Sequence, residues 1–139
     1  MAILSVRHTP ASAAIARRNV ADALQRAGLT SDQAFDAALI ASELVGNAVR
    51  HGRPLPSGNI TVEWQLSAES YYIGVTDGGT ARAVAPKDAD VLDTNGRGLM
   101  IVAALSQEWG VNNNENTTTV WAQAGLNQDA NAQHSLQSI

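Results

Sequence analysis

The chain has no cysteine, which excludes disulfides and thiolate metal sites and fits a reducing compartment. It has no basic excess: 9 Lys and Arg stand against 13 Asp and Glu, a net charge of −4. The footprint of a direct nucleic-acid binder or an acidic-membrane binder is therefore missing. No apolar run approaches the roughly 20 residues that cross a bilayer. The first residues form neither a basic n-region nor a long apolar h-region, so no secretory leader is expected. No internal repeat is visible. The phosphate-binding signatures GxxxxGK[ST] and GxGxxG are both absent. These absences predict a soluble, cytoplasmic protein, and 139 residues suffice for one domain with a buried core.

What is present centres on residues 41–52, ASELVGNAVRHG. Leu44, Val45, Ala48 and Val49 are apolar, while Glu43, Asn47, Arg50 and His51 recur at i, i+4, i+7 and i+8. That spacing gathers the polar groups on one side of a helix. A carboxylate can accept a proton or orient a water. An amide oxygen one turn on suits Mg²⁺, which prefers oxygen donors and keeps several waters. A guanidinium at the end of the column can meet phosphate oxygens in a fork. A solvated polar stripe on an amphipathic helix has the same pattern, and the choice depends on the rest of the chain.

In chain order, residues 2–6 predict an opening strand. Thr9 and Pro10 read as N-cap and first helical position. The helix that follows places Ile15, Val20, Ala23, Leu24 and Ala27 on one side, and Gly28 is its stop. Thr30 and Gln33 have capping-box spacing, so a second helix starts there and runs through the central stretch to Gly52 and Pro54. Ile60, Val62, Trp64 and Leu66 alternate with polar residues, a half-buried strand. Residues 71–76 are its antiparallel return. Residues 80–95 show no periodicity and predict a lid. An apolar helical run occupies 99–105, and residues 109–111 and 117–122 predict a last hairpin across an Asn-rich turn. His8 and His134 have no evident partner. The tryptophans read as core or sheet-face residues and Met100 as core packing. The polar stretch 125–139 reads as a disordered tail after a domain spanning 1–124. The order of elements predicts an α/β two-layer sandwich, with helices on one face of a mostly antiparallel mixed sheet.

Two further stretches carry chemistry. Asp77 ends a strand and precedes two glycines. A carboxylate there can accept from an exocyclic amine, and glycine lets backbone approach a flat ligand. Gly96-Arg97-Gly98 lies at a loop-to-helix junction, where free amides favour phosphate and Arg97 adds a cation. Each alone is also an ordinary turn or helix start.

Together these stretches resemble the GHKL (histidine kinase-like) ATP-binding superfamily. ELVGNAVRHG, VTDGG, NGRGLMIV, WGV and TTTVW match it. The likeness is closest to the compact bacterial anti-sigma-factor serine kinases and their stand-alone relatives. Ala81 stands where a third glycine is common, and Thr117 where the last strand often begins with glycine. The resemblance implies the Bergerat ATP-binding fold, with ATP and Mg²⁺ bound. It implies that Glu43 activates the attacking hydroxyl or water, that Asn47 holds Mg²⁺, and that Arg50 faces the phosphates. It implies that Asp77 reads adenine above Gly79, that Gly96, Arg97, Gly98 and Leu99 take phosphate, and that Thr119 stands beside the base.

Two functions follow from that resemblance. One is a protein serine kinase and anti-sigma factor, regulating transcription by acting on a sigma factor or an antagonist protein. The other is a non-catalytic nucleotide-dependent switch. Arg17, Arg18 and Arg26 on the first helix predict a basic patch for an acidic protein partner or for a homodimer.

Overall fold

The computed structural model describes residues 1–79 and 98–126. Five strands, β1 (Ala2–Arg7), β2 (Asn59–Leu66), β3 (Ser70–Asp77), β4 (Glu108–Asn113) and β5 (Thr118–Gly125), form one sheet of order β1-β2-β3-β5-β4. Every neighbouring pair is antiparallel. Strand alternation puts Val6, Ile60, Val62, Ile73, Val75, Val120 and Ala122 on one face, all buried. Among the described residues three helices pack against that face: α1 (Ser12–Arg26), α2 (Ser31–His51) and α3 (Gly98–Leu105). The α/β two-layer sandwich is the one expected.

α2 organises the core. Thr30 accepts from the Gln33 amide, and the Gln33 side chain accepts from the Thr30 amide. This capping box satisfies two donors at the helix start and fixes where winding begins. Ile40 and Leu44 are fully buried. Burying each such side chain contributes about 1.5–3 kcal/mol. The C-terminal half of α2 lies against β3, which sets the end of that strand beside the end of the helix.

α1 differs from the expectation at its start and on its inner side. Its N-cap is Ala11, with no side-chain cap, rather than Thr9. The Ser12 amide bonds Thr9 O, and the buried Ser12 hydroxyl donates to Arg7 O at 2.6 Å. Those bonds spend Thr9 and Pro10 on a turn, so the helix starts later. The buried stripe is Ser12, Ala16, Val20 and Leu24, while Ile15 is exposed. Small residues at four-residue spacing let α1 lie close on the alanine-rich side of α2. Gly28, at φ +116°, ends the helix, with Leu29 N–H bonded to Leu24 O and Gly28 N–H to Gln25 O. This is the Schellman arrangement glycine permits. Met100 is also corrected: it is 67 % exposed, and α3 buries Leu99 and Val102 instead.

Both hairpins form. At the other end of the sheet, β5 runs through Gly125, and Leu126 N–H bonds Glu69 O. The last strand thus ends at Gly125, one residue after position 124. The expected lid, 80–95, lies outside the described residues, as does the expected tail, 125–139, from residue 127 on.

Candidate functional site

The site lies where α2 and β3 end together. Asp77 is the last residue of β3 and is only 4 % exposed. Its Oδ1 accepts the Gly79 amide at 2.7 Å. Gly79 adopts φ +96°, which L side chains rarely reach. Burial pushes the Asp77 carboxyl up from 3.8 to about 6, against the Gly79 hydrogen bond and the charge of His8, which hold it down. Desolvation outweighs those two because the carboxylate loses its water there and gains few donors in exchange.

The chain leaving α2 forms the other wall. Gly52 caps the helix and lies against the Asp77 carboxylate, where a β-carbon would overlap it. Arg53 N–H bonds Gly79 O at 2.9 Å, and Gly78 N–H bonds Arg53 O at 2.7 Å. A β-carbon on Gly78 would overlap the carbonyl oxygen of Pro54. The two turns are therefore zipped together, and both glycines are required by close backbone approach.

The polar column of α2 is not a solvated stripe. Asn47 is 2 % exposed, and its Nδ2 has no hydrogen-bond partner among the described residues. Its Oδ1 accepts a long bond from Arg50 Nη2 at 3.4 Å. Leaving a buried amide donor unsatisfied costs about 1–3 kcal/mol, so the position calls for a partner that the described residues do not supply. Arg50 folds back over Gly46, whose missing side chain leaves room for the guanidinium. Glu43 is half-buried one turn before Asn47. It opens on a groove of about 610 Å³ between α1 and α2, lined by Pro10, Ala13, Arg17, Gly46 and Arg50 among others. A carboxylate thus lines an open groove between two guanidinium-bearing residues.

Gly98 begins α3, and Leu99 is buried in the core behind it. Gly96 and Arg97 lie outside the described residues. Thr119 lies on the other face of the sheet from Asp77. It pairs with Thr76, and their hydroxyls meet at 2.7 Å on the sheet face away from the helices. The threonine opposite Asp77 is Thr118, 2 % exposed, with its hydroxyl donating to Asn113 Oδ1 at 2.9 Å. Adjacent strand residues point to opposite faces, so a shift of one position moves the hydroxyl through the sheet. The phase is visible in the sequence, since Thr118 alternates in step with Val120, Ala122 and Ala124. His8 is a further site neighbour that motif spacing does not single out; Gly52 reads in the sequence only as a helix stop and Arg17 only as part of a basic patch.

Among the described residues no group of three or more His, Cys, Asp and Glu could hold a metal. The oxygen donor here is instead one buried amide, Asn47 Oδ1. That fits Mg²⁺, which is commonly held by one or two protein groups plus substrate phosphates. No helix among the described residues is long and apolar enough to cross a membrane.

The Histidine kinase-like ATPase domain family matches residues 6–124. The chain belongs to this family, and membership implies ATP binding. No curated protein matches the chain.

Proposed function

We propose that this protein is a Mg-ATP-dependent serine kinase that acts on a protein partner, in the manner of an anti-sigma factor and its antagonist. The observation that carries this reading is the placement of Glu43. Its carboxylate borders an open groove on one side and lies one helical turn from the buried Asn47 on the other. The groove admits a segment of another protein, with Arg17 and Arg50 available to acidic groups on it.

Asp77 accepts from the 6-amino group of adenine, and Thr118 stands opposite it. Arg50 leaves its long bond to Asn47 to meet phosphate oxygens. Asn47 Oδ1 would hold Mg²⁺, which supplies neutralisation of phosphate charge when bound. Glu43 accepts the proton of the incoming serine hydroxyl. The serine oxygen bonds the γ-phosphorus as the bond from that phosphorus to the β–γ bridging oxygen breaks, and ADP leaves. Catalysis of this kind is mostly positioning and charge stabilisation.

The test is incubation of the protein with γ-labelled ATP, Mg²⁺ and small proteins encoded beside it, with phosphoserine as the readout. Label on one such protein, lost with Glu43→Gln while ATP still binds, supports the kinase. ATP-dependent binding of a partner without label, unaffected by Glu43→Gln, supports the nucleotide-dependent switch instead.

A further inference from the structure

We infer that His8 is a positioning residue of the base-reading site: it fastens the C-terminus of α2 against Asp77 and so fixes the carboxylate. The inference rests on the reading of Asp77 as the adenine acceptor and concerns a residue outside the motifs of the site.

His8 lies in the turn between β1 and α1. That turn is itself held firmly. Thr9 N–H bonds Arg7 O at 2.9 Å, Ser12 N–H bonds Thr9 O at 3.0 Å, and the Ser12 hydroxyl also closes on Arg7 O. The imidazole Nε2 lies 3.1 Å from Ala48 O and 2.9 Å from Gly52 O. Both partners are carbonyl oxygens, so Nε2 carries the hydrogen and shares it between them.

Ala48 O also accepts the Gly52 amide at 2.9 Å, so His8 joins the last turn of α2 at both of its ends. The last carbonyls of a helix lack intrahelical donors, and a histidine there supplies one and complements the helix dipole. Gly52 is the residue that touches Asp77, and Arg53 is zipped to Gly78 and Gly79. Fixing Gly52 therefore fixes the wall against which the carboxylate rests. The imidazole also helps the Gly79 hydrogen bond hold the Asp77 carboxyl down against burial. The imidazole is thus first a fastener, through its two carbonyl partners.

The test compares wild type, His8→Gln and His8→Ala as the full chain. Glutamine can still donate to the carbonyls but carries no charge. Three readouts are taken: amide hydrogen exchange at Gly52 and Gly79 without nucleotide, the NMR titration of the Asp77 carboxyl, and calorimetric affinity for ATP and ADP. For His8→Ala we expect faster exchange at both glycines and an upward move of the Asp77 titration. ATP and ADP affinity should fall together by about tenfold, the scale of one hydrogen bond. For His8→Gln, exchange and affinity should return toward wild type while the Asp77 titration stays raised. Unchanged exchange, titration and affinity in His8→Ala would overturn the inference, as would a failure of glutamine to restore exchange. If the wild type bound no adenine nucleotide, the reading of the site would fall. Exchange and titration would still decide whether His8 holds Asp77.

Discussion

Gly52 lies directly against the carboxylate of Asp77, with no room for a β-carbon between them. Gly52→Ala should therefore displace the carboxylate and strain the turn. Overpacking of this kind typically costs about 1–3 kcal/mol. A lowered melting temperature together with weakened ATP binding is expected. Thermal denaturation and calorimetry on the same preparation check it, and a Gly52→Ala protein that binds ATP as wild type does would show the contact to be dispensable.

Thr118 and Thr119 separate the two faces of β5. Thr118→Val removes the hydroxyl on the side of Asp77 and should weaken ATP binding by about tenfold, the worth of one hydrogen bond. Thr119→Val breaks the Thr76 contact on the opposite face. It should leave affinity unchanged and lower stability by about 1 kcal/mol or less. Calorimetry on the pair gives the answer, and the reverse pattern would move the base to the other side of the sheet.

Asp77 links binding to pH. Burial lifts its carboxyl from 3.8 to about 6. Between those values the folded state holds the proton more tightly than the unfolded chain. Its contribution to stability therefore falls as pH rises from 3.8 to about 6 and stays lost above. Asp77→Asn removes that cost. The variant should melt higher than wild type at pH 8, with the gain shrinking as pH falls toward 4, and it should lose ATP binding. Melting curves across that range decide it; a variant less stable than wild type at pH 8 would mean that the carboxylate is well compensated.

The acceptor groove has its own test. Arg17 lines the groove with Glu43, whereas Arg26 lies at the far end of α1. Arg17→Glu should raise KM for an acidic protein acceptor several-fold, in a salt-dependent manner, and leave ATP affinity unchanged. Arg26→Glu should change neither. Equal effects from both substitutions would point to general charge rather than to the groove.

Much of this is legible in the sequence, for identifiable reasons. The capping box at Thr30 and the alternation of Ile60, Val62, Trp64 and Leu66 are local signals, and the elements they mark form where those signals place them. The column Glu43–Asn47–Arg50 follows from helical periodicity, but its division between a buried amide and a groove-lining carboxylate depends on where α1 packs. Ile15 reads as core because it is large and apolar. Ser12 and Ala16 take the inner positions because close helix packing favours small side chains there. Thr119 fits the motif, although the strand phase singles out Thr118. His8 has no local signal, because its partners are backbone carbonyls 40 and 44 residues away in the chain.

The central claim is that the Asp77 cradle reads adenine, and a calorimetric titration of the wild-type chain with ATP, ADP and GTP in the presence of Mg²⁺ tests it most directly. Adenine offers the 6-amino donor that a buried carboxylate accepts, whereas guanine presents a carbonyl oxygen there and leaves the acceptor facing an acceptor. Sites built on such a bond reject analogues lacking it by factors on the order of 10⁴. ATP and ADP are expected to bind and GTP to give no measurable heat at matched concentration; equal affinity for GTP and ATP would contradict the account.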